Sequence, residues 1–125
     1  MDKHYVLRVP VKPKAMPRPR AKPGQKAYYP QAYQEWRERA GLHLRSVWNR
    51  AKGRTVEGPV SVTIHLDTDE FTVWFGTVDV ERVKGLRGDV DNYGKAVLDL
   101  MVDQGLIEND SQVTVLNVGF SDGDR

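Results

Sequence analysis

Apolar and polar residues alternate in four segments of the chain, and this alternation predicts four β-strands. A period of two is typical of half-buried strands, because successive side chains of a strand point to opposite faces of the sheet. The four segments are residues 4–11, 60–66, 71–80 and 113–120. Only the turn at residues 67–70 separates the second segment from the third, so we expect these two strands to form a hairpin.

Two further segments carry apolar residues at helical spacing. In residues 31–52, a stripe recurs every three or four positions and is formed by Tyr33, Trp36, Ala40, Leu44 and Val47. This spacing predicts an amphipathic helix whose stripe faces the core. The second predicted helix covers residues 91–103, and it is apolar over more than half of its circumference when placed at about 100° per residue.

The predicted elements follow one another in the order β-α-β-β-α-β. This order favours an α+β fold in which helices flank a mixed sheet. A chain of 125 residues suits one compact domain, and no internal repeat indicates a second one. We therefore expect a single domain spanning residues 1–125. Residues 10–30 are too rich in proline for a helix or a central strand, so we expect them to form an extended, basic loop.

The composition excludes several classes of protein and of site. Apolar residues make up 39% of the chain and charged residues 29%, which is typical of a globular protein rather than a disordered one. Cysteine is absent, which excludes disulfides, thiolate nucleophiles and cysteine-based zinc sites. No apolar run approaches the roughly 18 residues of a membrane span, and residues 1–10 lack the apolar core of a signal peptide. We expect a cytoplasmic protein.

Charge is distributed unevenly along the chain. Residues 1–54 contain 14 Lys and Arg against 3 Asp and Glu, a net charge of +11. Residues 55–125 contain 5 against 14, a net charge of −9. This asymmetry favours a basic half that binds a polyanion such as nucleic acid and an acidic half with another task. The candidate phosphate contacts are Arg18, Arg20, Lys22, Lys26, Lys84 and Arg87.

Carboxylates are concentrated at the start of the second predicted helix, in GDVDNYGKAVLDL at residues 88–100. We expect Asp91 to be the N-cap, and i, i+4 pairing of Lys95 with Asp91 and Asp99 accounts for those three residues structurally. It does not account for Asp89, because two neighbouring carboxylates repel each other unless a cation lies between them. A hard divalent cation such as Mg²⁺, which binds oxygen ligands, explains the pair.

An EF-hand calcium loop does not explain this motif. Tyr93 and Leu100 occupy its fifth and twelfth positions, where an oxygen ligand and a bidentate glutamate are required. A third carboxylate for a metal site must therefore come from elsewhere, and Glu108 and Asp110 precede the last predicted strand. If that strand lies next to the segment leading into the helix, Asp110 completes an acidic cluster with Asp89 and Asp91.

The motif, together with IENDSQV at residues 107–113, resembles the signature of the RusA-type Holliday junction resolvases of bacteria and their phages. The opening strand, the basic loop and the first helix also occur in the same order, so the resemblance covers nearly the whole chain. It departs from the family at Asn109, where members often have an acidic residue, and in the longer stretch at residues 67–88. The matching residues are Asp89, Asp91, Asn92, Lys95, Asp99, Leu100, Asp110, Ser111, Gln112 and Val113.

This resemblance implies a homodimeric, Mg²⁺-dependent endonuclease that resolves Holliday junctions in DNA recombination and repair by nicking two strands symmetrically, with Mn²⁺ as a substitute metal. It implies that Asp89, Asp91 and Asp110 are the metal-binding catalytic carboxylates and that Lys95 is the catalytic lysine. Each subunit would supply one active site, so the two-fold symmetry of the dimer would match that of a four-way junction.

Some residues next to the motif have two interpretations. Asn92 and Asp99 would hold the catalytic side chains in position without binding the metal themselves. Asp99 would do so by fixing the side chain of Lys95. A plain structural salt bridge explains Asp99 equally well. In the basic loop, Tyr28 and Tyr29 would stack on an opened base or pack against the first helix, and we favour packing.

Two other functions stay open at this point. One is a less selective nuclease that cuts branched or flap DNA in phage replication. The other is a non-catalytic, architectural protein that binds junctions and uses its aspartates only for capping and ion pairing. Asp89 favours the enzyme, because capping and i, i+4 pairing have no use for it. The histidines have no ligand-like spacing and are interpreted as structural: His4, His43 and His65.

Overall fold

A computed structural model describes residues 3–17, 23–24, 28–79 and 85–120, and it confirms the α+β class. The chain divides into two compact units, Met1–Val78 and Asp79–Arg125. The expectation of a single domain over residues 1–125 stays a prediction. The elements are β1 (His4–Val9), α1 (Gln31–Arg50), β2 (Val60–Leu66), β3 (Phe71–Thr77), α2 (Val90–Asp103) and a short 3₁₀ helix, Asp110–Gln112.

The first unit contains an antiparallel sheet whose strands lie in the order β1-β3-β2. The hairpin predicted from the turn at residues 67–70 is confirmed, with Leu66 paired to Phe71. The Asp67 N–H donates to the Glu70 carbonyl at 2.9 Å and closes that turn. The turn thus fixes the register of β2 on β3.

One face of the sheet and the apolar stripe of α1 form the core. Val9 is fully buried and packs with Ala40 of the helix, and Trp36 and Phe71 lie against them. The predicted core role of the aromatic stripe is confirmed by these contacts. In the C-terminal half of the helix Leu44 is exposed, whereas Val47 is half-buried.

The fourth predicted strand does not form. Residues 113–120 have no regular secondary structure, and within the described residues the sheet has three strands, all antiparallel, rather than a mixed arrangement. Alternation of apolar residues makes a segment extended, but a strand also needs a neighbour whose N–H and C=O groups pair with its own. This segment packs on α2 instead, where Val118 contacts Gly94 and the Phe120 ring contacts Tyr93.

Both helices end or begin at a residue other than the predicted one. The first helix ends at Arg50 instead of residue 52, because Lys52 adopts a positive φ of 55° that no α-helix accommodates. The second begins at Val90, so its N-cap is Asp89 rather than Asp91. In the described part of the chain, neither helix combines the length and the apolar character needed to span a membrane.

Candidate active site

Asp89 lies at the N-cap of α2, and the prediction that Asp91 is the N-cap is wrong. The Asp89 backbone is extended, and its carbonyl accepts from the N–H groups of Asn92 and Tyr93 at 3.1 and 3.2 Å. Its side chain makes no capping hydrogen bond. An N-cap aspartate normally uses its carboxylate to accept from the first turn. Here helix capping does not use the Asp89 carboxylate.

The segment that leads into Asp89 is held by an aromatic side chain. The Gly88 N–H donates to Tyr93 Oη at 3.0 Å. A Cβ at Gly88 would lie 3.1 Å from the Tyr93 ring, so a glycine suits this close approach. Phe120 contacts the same Tyr93 ring in an edge-on arrangement, with the ring centroids 6.4 Å apart. These contacts fix the backbone just before the aspartate pair.

The polar stripe of α2 presents its charges to solvent. Asp91, Lys95 and Asp99 are all exposed, and their predicted i, i+4 ion pairs are not formed. An ion pair is formed elsewhere, between Arg8 and Glu70. The ammonium group of Lys95 is therefore available to a ligand, as is the carboxylate of Asp91.

Asp110 lies on a separately capped turn. The Asn109 side chain accepts from the Ser111 N–H at 2.9 Å, and the Gln112 Oε1 accepts from the Asn109 N–H at 3.1 Å. Gln112 Oε1 also accepts from the Glu108 N–H at 2.7 Å. This reciprocal pair is a capping box, and it holds the backbone on both sides of Asp110.

The sequence analysis did not assign these structural roles to Asn109 and Gln112. The signal that reveals them is the spacing of an Asn followed three residues later by a Gln, which is typical of a capping box. Asn109 stands where the family often has an acidic residue. Since Asn and Asp are comparable N-caps, the exchange keeps the local structure of the turn.

A cleft of about 300 Å³ brings Asp110 next to the C-terminal half of α2. The residues that line it are Asp99, Val102, Asp103, Asn109 and Asp110. Asp91 lies eight residues before Asp99, which corresponds to about 12 Å along a helix axis. The structure thus groups Asp110 with Asp99 and Asp103.

The donor chemistry suits a hard divalent cation, but a complete site is not formed. Exposed carboxylates at both ends of α2 are the oxygen ligands that Mg²⁺ prefers. Among the described residues, no group of three or more His, Cys, Asp or Glu side chains is arranged to hold a metal ion. The roles assigned to Asp89, Asp91, Lys95 and Asp110 stay predictions.

Most of the basic residues proposed to contact DNA lie outside the described residues. Of the six, Arg87 is within them, and it is exposed two residues before Asp89. The five outside are Arg18, Arg20, Lys22, Lys26 and Lys84.

The described parts of the basic loop are anchored to α1. Trp36 Nε1 donates to the Lys12 carbonyl at 2.9 Å, and Tyr29 Oη donates to Met16 Sδ at 3.8 Å. The rings of Tyr29 and Tyr33 lie 5.3 Å apart, which confirms the expected packing of Tyr29 on the helix. Tyr28 is exposed instead.

Comparison with known proteins decides the family. A family model described as "Endodeoxyribonuclease RusA" matches residues 10–124, nearly the full length of the chain. The chain belongs to the RusA endodeoxyribonuclease family. The match spans the basic loop, α1, β2, β3 and both acidic motifs, so the resemblance inferred from ten residues is confirmed. No curated protein and no solved structure matches the chain.

Membership of the RusA family explains the pairing of a basic half with an acidic half. An endodeoxyribonuclease must hold the DNA backbone and hydrolyse it, and these tasks need cations and carboxylates respectively. The chain is therefore assigned to the DNA endonucleases.

Proposed function

We propose that this RusA family member is a Mg²⁺-dependent, structure-selective endonuclease that resolves Holliday junctions by symmetric hydrolysis of two phosphodiester bonds. The observation that carries the proposal is the family match over residues 10–124, which includes both the Asp89–Lys95 segment and the Asp110 turn.

In this proposal the catalytic groups are side chains of α2 and of the Asp110 turn. Asp89, Asp91 and Asp110 hold the metal, for which Mn²⁺ also serves. The metal, when bound, supplies an activated water and neutralises the charge that grows on the phosphate. The metal-binding role of Asp89 and Asp91 is supported by their position two residues apart at the start of α2. The role of Asp110 rests on the family pattern alone.

Lys95 is proposed to stabilise the reaction's negative charge. It lies one helical turn after Asp91 on the same stripe, and it is exposed. An ammonium group that is not held by a carboxylate is free to donate to a phosphate oxygen or to the leaving oxygen. Asn92 and Asp99 are proposed to support these groups from positions next to them on α2.

The basic residues of the first unit and the cations before α2 are proposed to bind the phosphates of branched DNA. Residues 1–78 contain 14 Lys and Arg against 7 Asp and Glu, whereas residues 79–125 contain 5 against 10. Phosphate contacts from Arg18, Arg20, Lys22, Lys26, Lys84 and Arg87 would make the affinity strongly salt-dependent. A cytoplasmic homodimer would place one active site on each of two opposed strands.

Cleavage of a labelled four-way junction tests this function. The junction, a linear duplex and a flap are incubated with the protein in Mg²⁺, in Mn²⁺ and in EDTA. Paired, symmetric nicks that need the metal and spare the duplex are expected. Equal cutting of the flap would point to a less selective branched-DNA nuclease. Tight junction binding without cutting would establish an architectural protein and overturn the proposal.

A further inference from the structure

The sheet of the first unit has a second face that α1 does not use. Cross-strand pairing places Trp74 of the central strand between Val6 of β1 and Thr63 of β2. His65, which is paired to Thr72, lies on the same face. We call this surface, formed by Val6, Thr63, His65, Thr72 and Trp74, the open face.

The other two tryptophans pack against the opposite face of the sheet. Trp36 lies against the buried core and Phe71, and Trp48 packs on Tyr5 and Phe75, with ring centroids 4.6 and 5.6 Å away. Both are half-buried. This packing gives Trp36 and Trp48 a structural role. Trp74 lies on the other face of the sheet and does not share that role.

Trp74 is exposed although it occupies the middle of the central strand. It keeps 37% of its surface accessible, and its neighbour Val6 keeps 61%. The His65 ring contacts the indole edge-on, with centroids 4.4 Å apart, and holds its orientation. An indole fixed on an open sheet between a valine and a threonine presents a flat apolar surface to solvent.

Flat aromatic rings on open sheets are the platforms on which proteins stack the bases of single-stranded nucleic acid. The strand positions of the open face carry no carboxylate, and Arg8, which is paired to Thr72 on this face, neutralises Glu70 of the adjoining turn. The acidic turn at residues 67–70 lies at one end of the sheet, where Arg8 pairs with Glu70. At the other end, His4 pairs with Gly76, two residues from Trp74, and Lys3 precedes it.

We propose that the open face binds an unpaired DNA base by stacking on Trp74, with the sugar–phosphate chain running toward the Lys3–His4 end and away from the acidic turn. The inference rests on the proposed function in taking DNA as the ligand. It adds a contact to unpaired nucleotides that is separate from the carboxylates of α2. Branched DNA offers such nucleotides where strands exchange or end.

Binding of single-stranded DNA by the full-length protein tests the inference. A labelled oligo(dT) of about 12 nucleotides, comparable to known single-strand site sizes, is titrated in EDTA so that no cleavage occurs. Trp74→Ala should weaken binding about tenfold or more, since one base loses its stacking partner. Trp74→Phe should keep most of the affinity. Val62→Ala, an exposed position on the opposite face of the sheet, should bind like the native protein.

Two results would overturn the inference. In one, Trp74→Ala binds oligo(dT) as tightly as the native protein, which would leave the exposed indole to a protein partner or to no partner. In the other, Trp74→Ala, with an unchanged circular dichroism spectrum, loses oligo(dT) and linear duplex equally, which would assign Trp74 to a contact common to all DNA rather than to an unpaired base. Loss of oligo(dT) binding with unchanged duplex binding is the expected result.

Tryptophan fluorescence gives a second measurement that does not need the alanine variant to fold. Stacking of a base on the indole should quench part of the native emission. Trp74→Phe should abolish this quenching and leave the emission of Trp36 and Trp48. Quenching that persists in Trp74→Phe would refute stacking at this residue. These titrations are independent of junction cleavage, so absence of cleavage by the native protein would refute the proposed function and not this contact.

Discussion

A Cβ atom added at Gly94 would lie 2.8 Å from Cγ2 of Val118, closer than two such carbons normally approach. Gly94 is buried in the middle of α2, and Val118 belongs to the extended segment at residues 113–120. The glycine therefore lets this segment lie directly against the helix one turn after Asp91. Both residues belong to the second unit, Asp79–Arg125, so this packing lies within that unit.

Gly94→Ala should destabilise the second unit, whereas Gly41→Ala should not destabilise the first. Overpacking against Val118 should cost about 1–3 kcal/mol of the free energy of unfolding. Gly41 is also helical, but its added Cβ meets nothing within 4 Å. Gly41→Ala should therefore stabilise by about 0.5–1 kcal/mol through helix propensity. Urea unfolding of both variants measures this, and stabilisation by both would show that Val118 yields without cost.

Loss of the capping box should disturb the position of Asp110 while leaving its side chain in place. Asn109→Ala deletes the acceptor for the Ser111 N–H and should cost the turn about 1 kcal/mol. If Asp110 is catalytic, junction cleavage should fall by up to about tenfold, while DNA binding is kept. Asn109→Asp restores an N-cap acceptor and should restore the rate. Equal rates for Asn109→Ala and the native protein would mean that the position of Asp110 does not limit catalysis.

The aspartates of α2 should separate cleavage from binding. Asp91→Asn should abolish cleavage of a four-way junction and keep or strengthen binding, because it removes a negative charge near the phosphates. Asp103→Asn is the matched control, since Asp103 lines the cleft beside Asp110 but has no assigned role. Cleavage and gel-shift assays measure both. Loss of cleavage in Asp103→Asn with normal cleavage in Asp91→Asn would transfer the metal site to the cleft.

The ion pair of Arg8 and Glu70 should make stability depend on acid pH. Hydrogen bonding from Arg8, whose Nη2 lies 2.8 Å from Glu70 Oε1, holds the pKa of Glu70 below its ordinary value of 4.5. A lowered pKa contributes stability that is complete above pH 4.5 and is lost as the pH falls through the folded-state value.

Thermal unfolding between neutral and acid pH measures this dependence. Glu70→Gln should unfold at lower temperature than the native protein above pH 4.5, and the difference should shrink below it. Because the Arg8 side of the pair is exposed, added salt should also reduce the difference. Glu57→Gln provides the comparison, since Glu57 is exposed and forms no ion pair in the described structure. A difference for Glu70→Gln that is independent of pH would contradict the assignment.

The sequence by itself determined the elements that depend on neighbours in the chain. The stripe from Tyr33 to Val47 specifies α1 because helical contacts join residues three and four positions apart. The β2–β3 hairpin follows from two alternating segments joined by a short turn. The acidic motif and the charge asymmetry are likewise legible from residue order, and they were enough to indicate the RusA family.

Only the tertiary structure decided which extended segments pair and which faces stay open. Residues 113–120 alternate like a strand, yet they lie on α2 because Gly94 admits Val118. The alternation of β3 shows that Trp74 and Phe75 point to opposite faces, but not which face α1 covers. The Asp110 turn lines a cleft together with Asp99, which no local pattern specifies. Contacts between residues distant in the chain depend on how whole elements pack, and that information is not local.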